Sequence, residues 1–149
     1  MPKPLRIDCG HATDHVVAAS LARRFAEDSG FDPNAASAVA IAVAELVSNA
    51  VRHAGTGTLE LQGLFEQQRG VQICVTDRGP GIPPHTLQTV QSWLIETPRP
   101  EPVPPPADHG LAAVVRLVDK LVIQSTPRGT TVQALCFIKP ARGSGRPLR

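Results

Sequence analysis

The chain has 149 residues, of which 42% are hydrophobic and 19% charged, the length and composition of one globular domain with its own core. Lysine plus arginine is 15 against 13 acidic residues, a net charge of +2, and part of the excess falls in the tail at Lys139, Arg142, Arg146 and Arg149. A nucleic-acid footprint wants a denser basic face, and aromatics at 3%, with no Tyr and one Trp, argue against a stacking platform for single strands. Cys9, Cys74 and Cys136 are too few and too scattered for a disulfide framework, and neither a CxxC pair nor an HExxH element points to zinc. The N-terminus has no apolar signal core and no apolar run approaches the ~18 residues of a membrane span. The expectation is a reduced, cytoplasmic domain that contacts neither nucleic acid nor membrane.

Residues 4–9 read as a short first strand. Residues 14–29 read as a helix, with Val17, Leu21 and Phe25 at four-residue spacing and Arg23, Arg24, Glu27 and Asp28 off that line; Gly30 fits its C-terminal cap. Asp32-Pro33 opens a second helix, because an aspartate caps orphan N–H groups and proline suits the first helical position. This helix runs over 34–54 to Gly55 and is almost wholly apolar between residues 35 and 44, which implies burial on most sides.

Residues 58–65 and 71–76 have strand character around the turn Gln67-Gln68-Arg69-Gly70. Asp77-Arg-Gly-Pro-Gly81 is a glycine-rich turn, and residues 84–95 suit a short helix. Between residues 98 and 106 six of nine positions are proline, so that stretch is neither helix nor central strand. Helical spacing resumes over 111–118, then residues 120–126 and 130–138 alternate as strands around Pro127-Arg128-Gly129. The rest of the chain, 139–149, is rich in Gly, Pro and Arg and reads as a disordered basic tail. The order implies an α+β two-layer sandwich, a mixed, mostly antiparallel sheet with helices on one face.

Four places carry candidate chemistry, and none is specific alone. Glu45 and Asn49 are four apart and share one helix face; a carboxylate and an amide oxygen there suit Mg²⁺, which takes one or two protein oxygens plus phosphates, and the carboxylate suits a general base. Alternatively they are two polar residues on a solvated stripe. Asp77-x-Gly79-x-Gly81 allows close backbone approach to a ligand and offers a carboxylate to an exocyclic amine, or is only a tight Asp-initiated turn. Gly129-Thr130-Thr131 is by itself a hairpin turn, and His109-Gly110-Leu111 opens a helix, whose N-terminal end favours anions such as phosphate. His53 suits a helix end that helps the dipole, Cys74 and Cys136 read as buried hydrophobes, and Trp93 reads as packing. Walker and complete GxGxxG elements are absent.

Taken together, four segments carry more than any one of them: Ala44-Glu-Leu-Val-Ser-Asn-Ala-Val-Arg-His-Ala-Gly-Thr-Gly57, Val75-Thr-Asp-Arg-Gly-Pro-Gly-Ile82, His109-Gly-Leu-Ala-Ala-Val-Val-Arg-Leu-Val-Asp119 and Gly129-Thr-Thr-Val132. In order and spacing they resemble the N, G1, G2 and G3 boxes of the GHKL ATPase superfamily, closest to the small bacterial serine kinases of the anti-sigma and switch-protein type. The resemblance implies the Bergerat fold over a single domain, 1–138, with residues 98–108 as a proline-rich ATP lid. It implies ATP and Mg²⁺ as cofactors: Asn49 on the metal, Glu45 as general base, Asp77 on the adenine amine with Thr130 nearby through water, Gly79 and Gly81 shaping the adenine pocket, Gly110 and Leu111 at the phosphate end. It further implies a serine/threonine kinase that phosphorylates a STAS-domain antagonist in a partner-switching stress or sigma-factor pathway, with a sigma factor or phosphatase as further partner and a homodimer left open. Two features depart from the pattern: Asp108 stands at the first glycine position of the second glycine box, and the lid is proline-rich. They favour an alternative, an adaptor of the same fold that regulates a sigma factor, phosphatase or STAS protein by binding alone.

Overall fold

The computed structural model describes residues 2–95 and 109–139. The proline run 98–106, Asp108, the tail from residue 140 and the side chain of Trp93 lie outside the described residues. The elements in chain order are β1 (Leu5–Cys9), α1 (Asp14–Ser29), α2 (Pro33–Ala54), β2 (Gly57–Leu64), β3 (Gly70–Asp77), α3 (Pro84–Ile95), α4 (His109–Leu117), β4 (Lys120–Thr126) and β5 (Gly129–Phe137).

Local rules set the helix ends. The Asp32 side chain accepts the Ala35 N–H at 2.8 Å with Pro33 in the first helical turn, so α2 starts where capping chemistry puts it. Gly30 ends α1 at φ 113°, and the Phe31 N–H returns to the Ala26 carbonyl at 3.0 Å, a left-handed cap that L side chains adopt at a cost. The three-residue connection turns α1 back along α2, and the two pack against each other.

The strands alternate buried and exposed residues, so one sheet face is covered and the other is open. Leu59, Leu61, Val71, Ile73, Val75, Val132 and Ala134 point into the core beneath the helices; Glu60, Gln62, Thr76, Gln133 and Gln124 are exposed on the open face. The sheet order is β1-β2-β3-β5-β4, and every pairing among the described strands is antiparallel. The expected mixed sheet is thus corrected. The helices α3 and α4 carry the chain from β3 past β5 to the far edge, so β4 enters from the opposite end and no parallel neighbour arises.

Two other expectations change. On α1 Phe25 is buried, but Val17 is 57% exposed and Leu21 37%; the buried line is Ala18, Ala22, Phe25 and Ala26. Small side chains let the helix lie close on its neighbours, and the larger residues one step round the wheel are left outside. Among the described residues α2 alone is long and apolar enough by composition to cross a membrane; here it is the central helix, packed on α1, α4 and the sheet. Its apolar stretch is buried on most sides, as expected, with Ile41 the exposed exception at 50%. Cys74 is half-buried on the open face rather than in the core, because it sits one residue out of phase with Ile73 and Val75.

Two predictions follow from these contacts. Asp32→Ala removes one cap and costs about 1 kcal/mol, a midpoint drop of roughly 2–4 °C for this chain length, read by thermal unfolding; an unchanged midpoint contradicts the cap. Burial pushes the Cys136 thiol up to about 12, with Asp119 reinforcing it, and burial with Asp14 and Asp8 raises Cys9 as well. Thiolate being the reactive form, iodoacetamide at pH 8 should modify Cys74 in the native protein, and Cys9 and Cys136 only after unfolding. Mass spectrometry distinguishes this from uniform labelling.

Candidate functional site

Between the α2 surface and the ends of β3 and β5 lies a cavity of about 480 Å³, within the range of small-molecule sites. Its floor is sheet. Val75 faces Val132 and Asp77 faces Thr130 across the β3–β5 ladder, and because side chains two apart share a face all four line the cavity. Its wall is α2, which contributes Glu45, Asn49 and His53 among others, and one end is closed by Gly110 and Leu111 in the first turn of α4.

Glu45 and Asn49 lie one turn apart, half-buried, both opening on the cavity. No charge is stranded in the core by this placement, and among the described residues no buried side-chain nitrogen or oxygen lacks a partner. The Arg52 guanidinium donates to Asn49 Oδ1. That oxygen is therefore turned to where a cation can meet it. A neutral hard oxygen beside a carboxylate is also a donor set that fits Mg²⁺.

Asp77 ends β3. Its Oδ1 accepts the Gly79 N–H at 2.9 Å, an Asx turn that fixes the carboxylate while leaving most of its lone-pair sites for other donors. Gly79 itself is not part of the cavity lining: a Cβ there would lie 2.7 Å from the Ala54 Cβ and 3.2 Å from the His53 carbonyl, so it lets the turn press against the end of α2. Gly81 does line the cavity. Its φ is +89°, and a Cβ would run into the Thr126 carbonyl and come within 3.0 Å of Ser125 Oγ. The turn is held on that side by the Ile82 N–H donating to Ser125 Oγ at 2.7 Å, and Ser125 Oγ lies 3.0 Å from Thr130 Oγ1.

Glu45, Asn49, Asp77, Gly81, Gly110, Leu111 and Thr130 thus meet in one cavity, with Gly79 directly behind it. Sequence reading passed over Arg52, Ser48, Ile82, Pro83 and Thr86, which also line it. Arg52 was findable by its helical spacing from Asn49; the residues after Gly81 carry no local signal.

The family described as Histidine kinase-like ATPase domain matches residues 11–135. The chain belongs to this family. Within its reach, the Serine/threonine-protein kinase RsbT of Bacillus subtilis (strain 168) is 28% identical over 128 residues, 85% of this chain and 90% of that relative. The SiaB–SiaC complex from Pseudomonas aeruginosa contains a chain matching at TM-score 0.64 with 9% identity, over 88% of this chain and 89% of that one. The RsbU and RsbW domains of a Mycobacterium tuberculosis protein match at TM-score 0.63 with 20% identity over 95% of this chain, which spans 34% of that longer one. At such identities these two structures speak for the fold, the α+β sandwich of the histidine kinase-like ATPase domains.

Gly81→Ala forces a positive φ on an L residue against a fixed carbonyl, a strain of about 1–3 kcal/mol. The expected fall in thermal midpoint is roughly 2–10 °C; a midpoint equal to wild type shows that the turn is not confined as described.

Proposed function

We propose that this chain is an ATP-dependent protein serine/threonine kinase of the anti-sigma and switch-protein type, acting on a STAS-domain antagonist in a partner-switching pathway. One observation carries the reading: residues from four separated segments, which the sequence pattern assigns to base, metal, adenine and phosphate, line a single cavity. The relative RsbT, named a serine/threonine-protein kinase, supports the reaction class.

Asp77 accepts the adenine amine, and Gly81 leaves room for the ring beside the sheet floor. The first turn of α4, with Gly110 and Leu111, sets the N-terminal end of a helix, which favours anions, at the phosphate end of the cavity. Asn49 is the residue that would hold Mg²⁺, which when bound neutralises charge on the phosphates and templates the transfer. Glu45, on the same face, takes the proton of the substrate hydroxyl as its oxygen bonds to the γ-phosphorus and the bond to the β–γ bridging oxygen breaks. For Asn49 Oδ1 to hold the metal, the Arg52 guanidinium that donates to it would have to leave that oxygen. The domain works over 1–138 in the cytoplasm.

A second reading is a binding-only adaptor of the same fold. It is supported by the Arg52 guanidinium already seated on the oxygen that the metal requires.

Transfer of label from γ-labelled ATP to purified STAS-domain proteins tests the proposal. Wild type should phosphorylate one of them, and Glu45→Ala should lose about a hundredfold or more of that rate. Undiminished transfer in the variant removes Glu45 from its role, and nucleotide binding without transfer to any STAS protein favours the adaptor. Mg-ATP at a hundred times its dissociation constant adds about 2.7 kcal/mol, so the unfolding midpoint should rise by roughly 5–10 °C in wild type and not in Asp77→Asn. Equal shifts in both proteins place the nucleotide elsewhere.

A further inference from the structure

Arg52 stands in the last turn of α2, three residues beyond Asn49, and its guanidinium donates to Asn49 Oδ1. The direction of this bond is fixed, because a guanidinium has donors and no acceptor. The charges around the cavity give the contact its meaning. Among the described lining residues two carboxylates, Glu45 and Asp77, stand against one arginine and no lysine. A guanidinium keeps its charge at every working pH, so Arg52 is the one permanent cation in that lining. Its positive charge rests on the oxygen that the nucleotide reading gives to the metal.

We propose that Arg52 is a built-in substitute for the divalent cation: seated on Asn49 Oδ1, it lets the cavity take a nucleoside diphosphate without metal. The inference rests on the nucleotide reading above and adds a low dependence of nucleotide affinity on Mg²⁺. A diphosphate that enters without metal brings several negative charges to a cavity already holding two carboxylates. The Arg52 guanidinium offsets them from the same oxygen that Mg²⁺ would use. Asn49 Oδ1 has two lone pairs, but a divalent ion on one and a guanidinium on the other repel across a single atom. The two cations therefore alternate on Asn49. The exchange needs no backbone movement, because Arg52 is exposed and its side chain is long and flexible.

Isothermal titration of ADP into the whole protein, once in Mg²⁺ and once in EDTA, tests this with wild type, Arg52→Met and Arg52→Lys. Wild type should bind ADP in both conditions. Arg52→Met keeps the length and loses the charge, and should weaken binding in EDTA about tenfold, the low end for a charged hydrogen bond because the guanidinium is exposed. In Mg²⁺ the same variant should bind as well as wild type or more tightly. Arg52→Lys, which keeps a cation, should recover most of the loss in EDTA. A parallel fall in both conditions makes Arg52 an ordinary phosphate contact, and no fall in either makes it a solvated surface group. Both results overturn the inference while leaving the nucleotide site standing, as does wild type that binds ADP in Mg²⁺ and not in EDTA. Wild type that binds in neither condition overturns the site reading and the inference with it.

Discussion

The constraint on which the site depends is the close backbone approach of the turn after β3 to its two neighbours. Gly79 lets the turn meet the last residues of α2, and Gly81 lets it meet the end of β4. No side chain fits at either contact. With the turn wedged there, the distance between the end of α2 and the sheet is set by backbone, which packed interiors do not readily deform. The cavity is the space this spacing leaves between the polar face of α2 and the paired ends of β3 and β5.

That placement gives the cavity two chemically different sides. The sheet floor is largely apolar, with one acceptor and one hydroxyl at its strand ends, a surface suited to a flat heterocycle with a polar edge. The helix wall holds a carboxylate, an amide oxygen and a guanidinium on successive turns of α2, a surface suited to charge. The first turn of α4 closes the end with backbone donors. A ligand with a planar base at one end and anionic groups at the other matches this division, and the family match over residues 11–135 agrees with it.

Much of this was legible before any coordinates, because it rests on local rules. Asp32, Gly30 and Gly55 mark helix ends by capping chemistry, and the strands declare themselves by alternation. Glu45 and Asn49 stand out because polar residues at helical spacing interrupt an apolar run. What was not legible depends on contacts between distant segments. The insertion of β5 between β3 and β4 cannot be read from hairpin signals, so the sheet was expected to be mixed. The buried line of α1 follows alanines, whose small size matters only once a neighbouring helix is present. Ser125 carries no motif; its contacts with Ile82 and Thr130 appear only when the turn folds back on β4.

The measurement that tests the central claim most directly is amide hydrogen exchange of the whole protein with and without Mg-ADP, read by peptide. Binding in the cavity described here slows exchange in the turn 77–82, the start of β5 at 129–132 and the first turn of α4, and leaves the edge strand β1 unchanged. Protection elsewhere with these three segments unaffected, or no protection at saturating nucleotide, contradicts the account.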